Sequence, residues 1–338
     1  MVMQFIRQFK WSLTITLVTL ATVLLGLGFA AFITALILIA IEIAFSFDNA
    51  IINAKILEKL SVMWQQLFLT IGVVVAIVGM RLIFPIAVVA LAAHLPWNTV
   101  ISLALHHPTQ YAKHLEQAHV PLSAFGGGFL LTLAIHFFFD DKRETVWLKR
   151  FERPQQQVGG KWWLPTVAAL AVVCLAAVVP MNHHVIQTLQ LGTIGVLSYA
   201  TIDLLIKGLS KLVGSPHSQV YTGWAAFVVF IYLQVLDASF SFDGVLGAFA
   251  ITNQVVLIAI GLGIGAIWVR SLTVYMVKRR VLGSMIYLEH GAHYAILALA
   301  WALLLSIFWT IPNVVTGLVG IGIIGAAIIA SRQAATSK

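Results

Sequence analysis

Two short segments hold most of the chemistry available to this sequence. Glu42-Ile-Ala-Phe-Ser-Phe-Asp48 recurs as Asp237-Ala-Ser-Phe-Ser-Phe-Asp243, 195 residues further on. Both read acidic, x, x, Phe, Ser, Phe, Asp. All four carboxylates stand inside long apolar runs, although the chain holds only twelve Asp and Glu. Each would cost roughly 2.5–3.5 kcal/mol near the centre of a bilayer. Acids persist there when they face one another, a cation or a watery cavity. Each copy is followed, one apolar stretch later, by an intramembrane arginine, Arg81 and Arg270. Each then meets a second match: Leu115-Glu116-Gln117-Ala118-His119 in the first half and Leu288-Glu289-His290-Gly291-Ala292-His293 in the second. Three elements in one order indicate an internal duplication.

Charge counting states what the set can do. Four carboxylates and two arginines sum to −2 when ionised, which one divalent cation or two protons would neutralise. Arg81 and Arg270 serve as charge balance in this reading. The ligands on offer are hard oxygens: Glu42, Asp48, Asp237 and Asp243, the hydroxyls of Ser46 and Ser241, and the amides of Asn49, Asn53 and Asn253. Such a set suits Mn²⁺, Ca²⁺ or Mg²⁺ better than copper or zinc. A purely structural use, in helix–helix hydrogen bonds or pairing with the arginines, is the alternative. Cys174, the only cysteine, excludes an intramolecular disulfide and a thiolate cluster, and reads as a small core residue. Residues six apart on a regular helix lie about 120° off a common face. Glu42 and Asp48 therefore cannot share one ion from a straight helix: either the helix breaks at Phe-Ser-Phe, the favoured expectation, or the two acids contribute to different sites. Asn49 and Gly244, after each aspartate, tolerate such a break.

Secondary candidates follow from spacing. Glu116 and His119 (i, i+3) and Glu289 and His293 (i, i+4) would each share a helical face and offer two metal ligands, or be ordinary interfacial polar residues. The segment 93–121 carries five histidines, His94, His106, His107, His114 and His119, which could collect metal or sense pH, but it reads first as a solvated loop. Asp203 beside Lys207 reads as a salt bridge or a topology signal rather than a catalytic group.

Lipid must be the solvent for the elements that position these groups. Apolar residues make up 60% of the 338 positions and charged residues 9%, too few charges to coat a soluble surface. Ten stretches reach the roughly 20 residues a span needs: about 12–30, 32–53, 66–92, 122–139, 163–180, 185–206, 223–251, 255–277, 291–309 and 313–330. The fold expected is an all-α polytopic membrane protein, a single transmembrane domain over 1–338. The N-terminal run reads as an uncleaved first helix, with Gly26-Leu27-Gly28 dividing it from the second. With the N-terminus cytoplasmic, 17 of the 20 Lys and Arg fall on the inner side, including six in a basic loop at about 140–161. That asymmetry places both termini in the cytoplasm, and the membrane expected is a bacterial inner one. The asymmetry also explains the net charge of +8 without nucleic acid. The motif copies lie in spans two and seven. An odd offset makes the copies cross in opposite directions, so the halves, about 12–180 and 185–330, read as an inverted-topology repeat with its site at the interface. Spans two to four are expected to superpose on seven to nine.

Ser46-Phe47-Asp48-Asn49-Ala50, Ser241-Phe242-Asp243-Gly244, Gly79-Met-Arg81-Leu-Ile-Phe84 and Tyr287-Leu288-Glu289 resemble the TerC family, integral membrane proteins associated with tellurite resistance within the LysE-type exporter superfamily. The resemblance covers roughly 30–310. It implies metal-ion export, manganese foremost, with Asp48, Asn49 and Asp243 as ligands. The His-rich outer segment, and Gly244 in the place of Asn49, mark a divergent branch. The leading expectation is a secondary transporter exporting a divalent cation in exchange for protons, with the metal as substrate and no permanently bound cofactor. The other is a membrane-embedded scaffold or sensor of a metal-stress complex, docking a cytoplasmic protein at 140–161. An intramembrane aspartyl protease is disfavoured, because the Gly-x-Gly-Asp pattern is missing.

Overall fold

In the computed structural model, which describes residues 2–212 and 220–336, the first apolar run divides at Gly28. Its φ of +88° is open to glycine and strained for other residues. The side chains at positions 2–8, 92, 209–212, 242, 243, 246, 313 and 336 lie outside the described residues. Helix α1 (Val2–Leu27) precedes this division and α2 (Phe29–Phe45) follows it. The chain bends by 51° at Ser46 into α3 (Phe47–Leu57). Next come α4 (Val62–Leu69), α5 (Ile71–Val74), a π-helical stretch (Val75–Ile83) and α6 (Phe84–Ala92), which together form one apolar run over Val62–Leu91. Two short helices, α7 (Trp97–His106) and α8 (Pro108–Gln117), lead to α9 (His119–Phe138). Then follow α10 (Lys149–Val158), α11 (Leu164–Val178) and α12 (Val185–Leu212). The last part comprises α13 (Gly223–Phe249), α14 (Val255–Lys278), α15 (Val281–Ser284), α16 (Leu288–Leu305) and α17 (Asn313–Thr336). No strand occurs among the described residues.

Eight of these stretches are long and apolar enough to cross a membrane, and the bent pair α2–α3 makes a ninth. Helix α11 is apolar but has only 15 residues. The chain is an all-α membrane protein. Its surface confirms the solvent: Leu25, Leu91 and Ile186 are 88%, 76% and 70% exposed, whereas Glu42, Asp48, Arg81, Asp237 and Arg270 are buried. In water that distribution would be inverted.

Two expectations need correction here. The segment 93–121 is not a solvated loop, since α7 and α8 fold it into helices with Val100, Tyr111 and Leu115 buried beneath. Cys174 is not a core residue and is exposed on α11. Asp203 does pair with Lys207, at 2.6 Å.

Small residues set the spacing at the centre. Helix α14 lies directly on α2, and a Cβ at Gly265 would stand 2.5 Å from the Cβ and Cγ of Glu42. Only glycine lets α14 approach the acid that closely.

The 140–161 segment is folded down as a strap. Glu152, fully buried, accepts hydrogen bonds from the Leu148 amide (3.0 Å) and the Tyr294 hydroxyl (3.1 Å), and pairs with Arg143 (2.9 Å) and His290 (3.4 Å). Burial raises its pKa, but the His290 hydrogen bond, the Leu148 amide and the charges of His290 and Arg143 outweigh it, so the carboxyl sits below its ordinary 4.5. A depressed carboxyl stabilises the fold above that ordinary value, and the gain is lost as pH falls through the lowered one. The difference in melting temperature between wild type and Glu152→Gln should therefore be large at pH 7 and shrink toward pH 4, read by thermal unfolding in detergent. An equal difference at both pH values would refute the strap's ionic anchoring. Trp162 and Trp163, just beyond the strap, are exposed at the start of α11.

Candidate functional site

The first motif copy breaks its helix and the second does not. Ser46, at φ −96° and ψ 15°, ends α2, and its hydroxyl donates to Glu42 Oε1 at 3.2 Å. The preceding Phe45 ring is seated on Gly317 of α17 where the chain turns. Asp48 thereby falls in the first turn of α3, where the helix N-terminus favours negative charge, and its Oδ1 accepts the Asn49 amide at 2.8 Å. In the second copy α13 runs unbroken through Asp237 and Gly244 to Phe249, so the break expected there is absent. Phe240 stays inside the bundle core, with no turn after it.

The acids divide into two kinds. Arg81, carried by the π-helical stretch, pairs with Glu42 Oε1 and with Asp237 Oδ2 (3.4 Å), and donates to the Ala76 carbonyl (3.1 Å). Arg270 reaches the same Asp237 Oδ2 at 3.4 Å and lies 3.9 Å over the ring of Phe68. Asn49 Nδ2 donates to Asp237 Oδ1 at 2.9 Å. Glu42, Arg81, Asp237 and Arg270 thus form one buried network of zero net charge, each residue at most 5% exposed. Two charges of each sign satisfy one another in a low-dielectric interior.

Asp48 has no basic partner among the described residues. The Asp243 side chain lies outside them. Around the Asn49–Asp237 contact stand oxygen atoms with no hydrogen-bond partner: Asn49 Oδ1, Asn53 Oδ1 and Ser241 Oγ. Asn53 is one turn beyond Asn49 on α3, and Ser241 one turn beyond Asp237 on α13. Each pair shares a helix face with Cβ atoms about 5–6 Å apart. All three residues are buried, and buried polar atoms of this kind ordinarily find water or an ion.

A cavity of about 40 Å³ is lined by Glu42, Ser46, Asp48 and Gly244, with Phe45 and Phe240 as walls. That is room for a water or a single ion. It adjoins a vestibule of about 940 Å³ that shares Ile41, Phe45, Gly244, Leu299 and Thr316 with it. Lys113, Glu116, His119, Asn253 and Ser306 line the vestibule further out.

Of the secondary pairs, one is split between two helices and the other shares a helix as expected but has its side chains engaged elsewhere. Glu116 lies in the last turn of α8 and His119 opens α9, so no continuous helix holds them, although both line the vestibule. His119 Nε2 instead meets Ser123 Oγ at 3.2 Å. Glu289 is taken by Lys55 at 2.8 Å, and the His293 ring stacks on Phe137 at 3.6 Å, so this pair is turned to packing. Among the described residues, no three His, Cys, Asp or Glu side chains converge as a metal cluster. Sequence reasoning missed Gln234, buried one turn before Asp237 with both amide atoms unpartnered. An amide on the acid's own helix face, inside an apolar run, was the available signal.

Comparison with known proteins gives a family. No curated protein and no solved structure matches this chain. A family model matches residues 47–337, from the second half of the bent span onward, under the description "protein of unknown function". This chain belongs to the DUF475 family.

Proposed function

We propose that this chain is a secondary transporter that exports a divalent cation, manganese foremost, in exchange for protons. The observation that carries the reading is the division of the acids. Glu42 and Asp237 are neutralised by Arg81 and Arg270, whereas Asp48 is left without a cation beside a cavity of ionic size. With its repeat counterpart Asp243, Asp48 would hold −2, matched by one divalent ion on loading and by two protons on return. Ser46, with its hydroxyl, lines the same cavity, and the unpartnered oxygens of Asn49, Asn53 and Ser241, on the same two helices but outside the cavity lining, are hard atoms of the kind such an ion prefers. Ten spans in two inverted halves, both termini cytoplasmic and the vestibule facing outward complete the reading. They rest on the motif duplication and the distribution of Lys and Arg. The TerC resemblance points to the same substrate class. The scaffold alternative draws less support, because the 140–161 segment is pinned to α16 through Glu152.

The direct test is the purified protein in liposomes, with one dye reporting Mn²⁺ and another reporting pH. A Mn²⁺ gradient should drive proton counterflow at about two per ion, the ratio set by two carboxylates. Well-folded protein that moves none of Mn²⁺, Ca²⁺ or Mg²⁺ would sink the reading.

A further inference from the structure

The two ends of the bent span are in opposite conditions. At one end the vestibule leads to Asp48. At the other, three sets of contacts shut the bundle. Lys55 Nζ on α3 pairs with Glu289 Oε2 in the first turn of α16 at 2.8 Å. The turn after α3 is stitched to the residues before α13: the Tyr221 amide donates to the Lys59 carbonyl at 2.7 Å and the Ser61 amide to the Tyr221 carbonyl at 3.1 Å. The strap closes over the same turn of α16 through His290 and Glu152.

Helix α3 is a single rigid piece of 11 residues, hinged from α2 at the 51° bend. Lys55 lies seven residues after Asp48, two turns along and on the same face. Whatever fixes Lys55 therefore fixes the direction in which Asp48, and with it the Asn49–Asn53 face, is presented. Glu289 is the group that fixes it. Glu58, Lys59, Arg280 and His293 also contribute to the field around this pair.

We propose that Lys55 and Glu289 are positioning residues for the cation site, a latch that holds α3 open to the vestibule and closed at the opposite end. The proposal rests on the transport reading. Glu116, which stands in the first sequence match where Glu289 stands in the second, makes no ion pair among the described residues and lines the open vestibule. One match is latched and the other is open, as in a carrier resting on one side of its cycle. The latch is also suited to release. Lys55 and Glu289 are 38% and 27% exposed, so water screens the pair and opening costs little.

The test uses a buried reporter, Ala54→Cys, in a Cys174→Ser background of the full chain. Its labelling rate by a maleimide in detergent reads how often the closed end opens. Lys55→Gln and Glu289→Gln should each raise that rate about two- to fivefold, the range a partly exposed ion pair can shift a two-state equilibrium. Labelling of Thr316→Cys, at the junction of the two cavities, should fall in the same variants. The reversed pair, Lys55→Glu with Glu289→Lys, should return both rates toward wild type. Faster labelling at position 54 with none lost at 316 would mean local fraying and overturn the latch. So would unchanged rates, or a reversed pair that fails to rescue. Labelling needs no metal flux. A wild type that moves none of Mn²⁺, Ca²⁺ or Mg²⁺ while labelling as described removes the transport reading, whereas normal flux with unresponsive labelling removes the latch alone.

Discussion

Asp48→Asn is expected to abolish metal transport while leaving the fold nearly intact. The side chain keeps its shape and can still accept the Asn49 amide, so the structural loss is confined to the charge at the α3 N-terminus. That is worth about 2 kcal/mol at most. The functional loss is of another order. Asp48 is the acid that the arginine network leaves over, and removing its charge leaves a divalent ion half balanced in a low-dielectric cavity. Transport in liposomes should fall on the order of 100-fold or more, beyond the 10–100-fold typical of losing a ligand's supporting partner. Asp243→Asn, on the second copy, should do the same. A near-normal melting temperature with lost flux is the expected pattern. Wild-type flux in both variants would remove the site.

Arg81→Gln is expected to act in the opposite way, on the fold first. Arg81 joins Glu42 to Asp237, and its loss leaves Glu42 buried with only the Ser46 hydroxyl beside it. Breaking a buried pair from one side costs about 3–5 kcal/mol, a large part of any domain's margin. Pairing the change with Glu42→Gln removes the stranded charge, and the double variant should recover most of the stability. Unfolding in detergent of the single and double variants measures that coupling. In whatever fraction remains folded, the freed Glu42 adds one negative charge beside the Asp48 cavity. Mn²⁺ should then bind as tightly as before or more tightly, by calorimetry, while turnover slows because the empty carrier is left charged. Unchanged stability, binding and flux would make Arg81 a spectator.

The pieces legible in the sequence were those carried by rare residues against a uniform background. Glu42, Asp48, Arg81, Asp237 and Arg270 stood out because lipid charges heavily for each, and the Gly28 break and the Asp203–Lys207 bridge followed from local chemistry. Partner choice was not legible. A helix that is apolar all round has no amphipathic stripe, so nothing in α13 or α14 announces which face meets which neighbour. That both arginines converge on Asp237, and that Asp48 is left out, depends on this facing. The same Phe-Ser-Phe holds a bend in one copy and a straight helix in the other, and at the bend Phe45 meets Gly317, a contact from far along the chain that local sequence does not announce. Glu289 looked like a partner for His293 by spacing, but Lys55 reaches it from α3.

Helix α11 carries a consequence for the bilayer itself. At 1.5 Å per residue its 15 residues span about 22 Å, against a hydrocarbon core of about 30 Å. A helix that short cannot tilt its way to a match, since tilting shortens its reach further. Were α11 to cross the bilayer, as the fifth of the ten expected spans, lipid would have to come to the helix. Acyl chains beside it would be compressed or splayed, with the exposed Trp162 and Trp163 marking the depth to which the interface sinks. The protein would then sit in a local dimple on that flank, and thinner membranes, with shorter acyl chains, would fit it with less elastic strain.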